Sequence, residues 1–239
     1  MAISRAGYGG SSPHARTGPD RLAQHARDTG AVLSHEGVTR CSVISVTTGV
    51  APAYAFCQTF PHRVRRLVAV NPIGPVLSVR DTRGLSGGMK AGALTALLAP
   101  STFRLLCRFT MRKLAAVDYS PSAPILLPHS RYATLENPDG ILASRENAVD
   151  IATDGGESIS REASWAVTDW VQMPAGANYR PPAIFICTED SPFCSADSIR
   201  GFARRLAAPC IGVPSLYPML NGECAPVFEA LQAERPDLP

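Results

Sequence analysis

The sequence predicts an α/β protein with a mostly parallel sheet, flanking helices and a helical insertion. Short apolar segments of strand type alternate with helical patterns near both ends of the chain, and the middle of the chain lacks a strong strand signal. Parallel strands need a long crossover connection, usually a helix, so this alternation is typical of a parallel sheet. We therefore divide the chain into core residues 1–77, a helical insertion at 78–180 and core residues 181–239.

The first core segment contains two strands and two helices. Asp20 is a plausible N-cap for a helix that runs to about His35. "CSVISV" at 41–46 is apolar and β-branched, as in a strand covered on both faces. A helix at 49–60 tolerates its early proline and stops before the next one, and "RLVAV" at 66–70 is a second buried strand.

The remaining elements follow from the same signals. In the middle of the chain, residues 91–116 and 158–173 are helical patches separated by stretches rich in proline and glycine. The last segment returns to strand and helix alternation. Its predicted elements are strands at 183–187 and 210–214 and helices at 196–208 and 225–234.

Composition excludes several classes of partner. The 239 residues carry a net charge of only +3, and we interpret the basic run "HRVRR" at 62–66 as a solvated helix end, so no nucleic acid is expected. The apolar stretches are too short to span a bilayer and the N-terminus lacks a secretory pattern, which predicts no membrane partner and a cytoplasmic protein. Seven cysteines without ligand spacing predict no metal site, and no cofactor is expected.

The stretch "VISVTTGVAPAYA" at 43–55 predicts a strand, a tight turn and a helix start. This is the layout of a nucleophile elbow, in which the reactive residue adopts a positive φ between small neighbours. Thr47 lies at the reactive position, with Ser45 and Gly49 two residues away on either side. The helix N-terminus directs its free N–H groups toward this turn, and the Thr48 N–H is a candidate oxyanion donor.

Together these segments resemble the α/β-hydrolase superfamily over nearly the whole chain. "SRAGYGGSSP" is similar to the loop after the fourth strand of that family, and residues 43–72 are similar to its elbow, following helix and sixth strand. "PPAIFICTEDSPF" resembles the strand and loop that carry the family's catalytic acid, which places Asp190 in that role. The resemblance also implies that the helical insertion is a cap above a pocket.

The sequence departs from the family at two catalytic positions. Threonine replaces serine at 47, and a β-branched residue at positive φ costs about 1–3 kcal/mol, so relaxation of the elbow is expected. The resemblance places the family histidine at Leu216, and all five histidines precede residue 130. A hydroxyl without a general base is a weak nucleophile, and loss of the base in a tested serine protease costs about 10⁶ in turnover.

A third departure concerns the first strands of the sheet. Members of the family carry about 50 residues and three strands before the point that matches the start of this sequence, including the other oxyanion donor. Their absence predicts an exposed sheet edge that must be covered, shortened or paired, and a homodimer through that edge is one solution. A natural truncation and a fragment both fit the sequence.

Each candidate residue has an alternative role. Thr47 is either a nucleophile or an ordinary turn residue, and Asp190 is either the acid or a loop carboxylate that caps the next helix. His129, in the predicted cap, is either a displaced base or an ordinary histidine.

Three functions follow from these alternatives. The first is weak hydrolysis of a small ester-like substrate, and the second is binding of a small apolar molecule in a capped pocket without turnover. The third is a truncated paralogue that needs a partner.

Overall fold

A computed structural model of the chain describes residues 3, 11, 12, 18–115, 157–172, 181–215 and 224–232. The helices of at least eight residues in these ranges are α1 (Gly18–His35), α2 (Val50–Thr59), α3 (Gly87–Leu98), α4 (Pro100–Ala115), α5 (Glu157–Ala166), α6 (Ala196–Arg205) and α7 (Ala225–Gln232). The strands are β1 (Cys41–Val46), β2 (Val64–Val70), β3 (Ala183–Thr188) and β4 (Cys210–Val213).

The described strands form one sheet in the order β1-β2-β3-β4, with every neighbouring pair parallel. Val46 pairs with Val70, which in turn pairs with Ile186, so the carboxyl ends of the first three strands lie side by side. Helices connect the successive strands, because parallel strands need a long crossover connection. The α/β fold class predicted from the alternating segments is confirmed.

Strand β1 is one of the two edge strands among the described residues, the other being β4, and one face of β1 is open. Ile44 and Val46 are 49% and 50% exposed, whereas the alternate residue Ser45 is buried. The expectation that this strand is covered on both faces is therefore wrong. Only the face of β1 that carries Ser45 is buried, although apolar residues lie on both faces.

The sheet core is centred on β2 and β3. Side chains of both strands pack against α7, and the buried cluster comprises Val68, Val70, Ile184, Ile186, Val227 and Ala230. Arg66, which is 7% exposed, donates a hydrogen bond from Nη1 to the Ala230 carbonyl at 2.8 Å. A cation near the last carbonyls of a helix stabilises it, so this arginine fixes the end of α7 on the sheet.

The basic run at 62–66 has a structural role that differs from the predicted solvated helix end. Arg63 donates hydrogen bonds to the Gly30 carbonyl at 3.0 Å and to the Val38 carbonyl, which ties the end of α1 to the start of β2. Gly30 also packs on the Phe60 ring, and a Cβ there would lie 2.6 Å from Phe60 Cζ. A larger residue would push the two elements apart.

The chain divides into two compact units. The sheet unit comprises the described parts of Ala26–Gly74 and Val171–Pro239, and the helical unit comprises those of Met1–His25 and Pro75–Trp170. In the helical unit, Arg21 lies over the Trp165 ring at 5.4 Å, and the His25 ring stacks on the same indole at 6.1 Å. The three-segment division predicted from sequence stays a prediction, as does the interpretation of the insertion as a cap.

Candidate functional site

The elbow predicted at Thr47 is present with its strained geometry. Val46 ends β1 in an extended conformation at φ −124° and ψ 133°, and Thr47 then adopts φ +49°. The turn Thr47–Gly49 leads directly into α2, and the Thr47 carbonyl accepts a hydrogen bond from Ile73 N at 3.3 Å. The expected relaxation of the elbow is wrong, because the chain holds a β-branched residue at positive φ.

The two small neighbours of Thr47 differ in whether a larger side chain would fit in their place. Ser45 is buried in the sheet, where a larger side chain would have to displace its neighbours. A Cβ added to Gly49 would meet no atom within 4 Å, and Gly49 itself has an ordinary φ of −61°. The expectation that both positions must be small is therefore wrong for Gly49.

Parallel register brings the candidate residues to one edge of the sheet. Thr47 follows β1, Asn71 follows β2, Asp190 follows β3 and Ser215 follows β4. The carboxyl edge of a parallel sheet is where open α/β folds bind ligands. Thr48, the predicted oxyanion donor, lies beside Thr47 in the short turn that leads into α2.

Asn71 is a component of this edge that the sequence interpretation missed. It is fully buried at φ +45°, and its backbone N donates to the Ile186 carbonyl at 2.8 Å. Its side chain contacts the end of the neighbouring strand twice, donating from Nδ2 to Thr188 Oγ1 at 3.0 Å and accepting from Thr188 N at 2.9 Å. An asparagine directly after a buried strand was the available signal, because asparagine tolerates left-handed backbone better than most residues.

Asp190 lies in the turn after β3 and forms a side-chain pair with the loop after β4. Ser215 Oγ donates a hydrogen bond to Asp190 Oδ2 at 2.5 Å. The loops are also tied through the backbone, since Glu189 N donates to the Val213 carbonyl at 3.3 Å. The alternative role for Asp190, capping the next helix, is wrong because Ser195 is the N-cap of α6 and accepts from Ser198 N.

The Asp190–Ser215 contact involves the loop in which the resemblance places the triad histidine. Leu216, the residue assigned to that position, lies outside the described residues, as does His129, the proposed displaced base. Ser215 immediately precedes Leu216 and directs a hydroxyl to the carboxylate. A hydroxyl holds the carboxylate in place but cannot act as a base near neutral pH.

The described histidines of the sheet unit lie far from Thr47. His35 ends α1 before β1 begins, and His62 lies two residues before β2. Both therefore lie at the amino end of the sheet. Thr47 lies at the opposite end of a six-residue strand, about 20 Å away along the strand direction.

Four of the cysteines are unsuited to act as an alternative nucleophile. Burial raises the pKa of the Cys194 thiol to about 11 and that of the Cys107 thiol to about 11. Burial also raises the pKa of Cys210 to about 12 and that of Cys57 still further. Only a thiolate is a strong nucleophile, so these thiols are protonated and inert near neutral pH.

Two further features are absent from the described ranges. No group of three or more histidine, cysteine or acidic side chains there could hold a metal ion. No helix within them is long and apolar enough to cross a membrane.

Solved structures with the same arrangement decide the fold. An alpha/beta hydrolase enzyme, MGS-M2, from a Medee basin deep-sea metagenome library matches with a TM-score of 0.61 at 14% identity, covering 98% of this chain and 80% of that chain. The chain has the α/β-hydrolase fold. No protein-family model and no curated protein matches the sequence.

Other α/β-hydrolase-fold structures match about as well. A bromoperoxidase from Bacillus anthracis has a TM-score of 0.60 at 12% identity, covering 95% of this chain and 78% of that one. A thermophilic esterase from Thermogutta terrifontis has a TM-score of 0.55 at 14% identity, covering 95% and 76%. Because these proteins carry names of different activities, the shared fold leaves the chemistry of this chain to its own residues.

Proposed function

We propose that this chain is a pseudoenzyme on the α/β-hydrolase fold, derived from a hydrolase of small ester-like substrates and weak or inactive in turnover. The observation that carries the proposal is the hydrogen bond from Ser215 Oγ to Asp190. In a Ser-His-Asp triad the carboxylate instead orients an imidazole, which takes the proton of the nucleophile. Here the loop after β4 presents a hydroxyl to the acid.

The nucleophile position supports the same conclusion. Thr47 has the positive φ of an elbow residue, so its hydroxyl is held on a turn between strand and helix. Its β-branched side chain is stiff about χ1, and a hydroxyl gains nucleophilicity only when a base removes its proton. Neither His35 nor His62 is near enough to do so.

Hydrolysis of p-nitrophenyl acetate by the purified chain and by a Thr47→Ala variant tests the proposal. We expect the two proteins to release p-nitrophenol at equal rates, close to that of buffer with an inert protein. A wild-type rate at least tenfold above that of Thr47→Ala would overturn the proposal, since it would show an active threonine nucleophile.

A gain-of-function pair sharpens the test. Thr47→Ser combined with Leu216→His restores the residue types that the resemblance implies, and general base catalysis contributes about 10²–10⁴ in rate. We expect a measurable increase that Asp190→Asn abolishes in the same background. The Asp190→Asn control separates a rebuilt triad from adventitious catalysis by a new surface histidine.

A second candidate function is binding of a small apolar molecule without turnover. The preserved strain at Thr47 favours it, because an elbow held at a cost of about 1–3 kcal/mol persists only where the surrounding structure imposes it. A binding function requires the shape of the site but no proton transfer, so it accounts for a strained elbow without a general base. Saturable binding of 1-naphthyl acetate with no release of 1-naphthol is the expected result, and absence of binding would eliminate this candidate.

A further inference from the structure

We draw no further inference here: the strongest candidate, the open edge of β1 with the half-exposed side chains of Ile44 and Val46, carries no proposal because nothing in the described part of the structure shows what covers it.

Discussion

Replacing Asn71 with alanine should strongly destabilise the sheet unit. The Asn71 side chain accepts a hydrogen bond from Thr188 N at 2.9 Å and donates one to Thr188 Oγ1 at 3.0 Å. Both residues are fully buried, so water cannot replace the lost partner. We call these two hydrogen bonds the Asn71 clamp. The clamp joins the residue that follows β2 to the last residue of β3, the strand that leads to Asp190.

The expected magnitude follows from three contributions. A buried N–H of Thr188 without its acceptor costs about 1–3 kcal/mol, and loss of the second hydrogen bond costs about 0.5–1.5 kcal/mol. Alanine at φ +45° adds about 1 kcal/mol, because its Cβ disfavours left-handed backbone. The free energy of unfolding should fall by about 3–5 kcal/mol, a large part of the stability of an ordinary domain.

Urea unfolding followed by circular dichroism measures this change, and two further variants separate its parts. Asn71→Gly loses the same side-chain bonds but tolerates positive φ, so it should retain about 1 kcal/mol more stability than the alanine variant. Thr188→Val removes only the hydroxyl partner and should cost about 1 kcal/mol. An alanine variant within about 1 kcal/mol of wild type would refute the clamp.

Three other perturbations have defined outcomes. Thr47→Gly should raise the free energy of unfolding by about 1 kcal/mol, because it relieves the strain at φ +49°; a lower melting temperature would contradict that strain. Burial alone would raise the pKa of Glu157, but hydrogen bonds and charges of its arginine partners hold that pKa below the ordinary value of a glutamate. The resulting stability is present at neutral pH and lost as pH falls through the lowered pKa, so thermal melts of Glu157→Gln should lack this acid dependence; parallel profiles would contradict it. If β1 pairs with a second copy, Ile44→Lys should convert a dimer into a monomer in light scattering while Ile211→Lys, on β4, does not.

The strands and helices could be predicted because their signals are local. The pattern of "CSVISV" fixed β1 to the residue, and the predicted end of α1 at His35 is confirmed. The parallel direction of the strands followed from the helices predicted between them. What failed was the burial of β1, because the sequence of a strand records that it is apolar and not which of its faces a neighbour covers.

The sequence predicted the turn of the candidate site, but it did not predict the side-chain hydrogen bonds between the loops around it. Thr47 was found from its small neighbours and its position between strand and helix, and its positive φ bears out the turn. Asn71 and Ser215 were missed as site components, since each acts through a partner distant in the chain. Their partners, Thr188 and Asp190, lie 117 and 25 residues away.

By itself, the sequence determined the α/β class, the position of the elbow and the absence of any histidine after His129, because these depend on residue type and local spacing. The tertiary structure alone decided that Thr47 keeps its strain, that Asn71 joins two strand ends and that a serine hydroxyl binds Asp190. Those outcomes depend on which side chains meet across the parallel sheet. Strand register sets such meetings, and no local pattern encodes it.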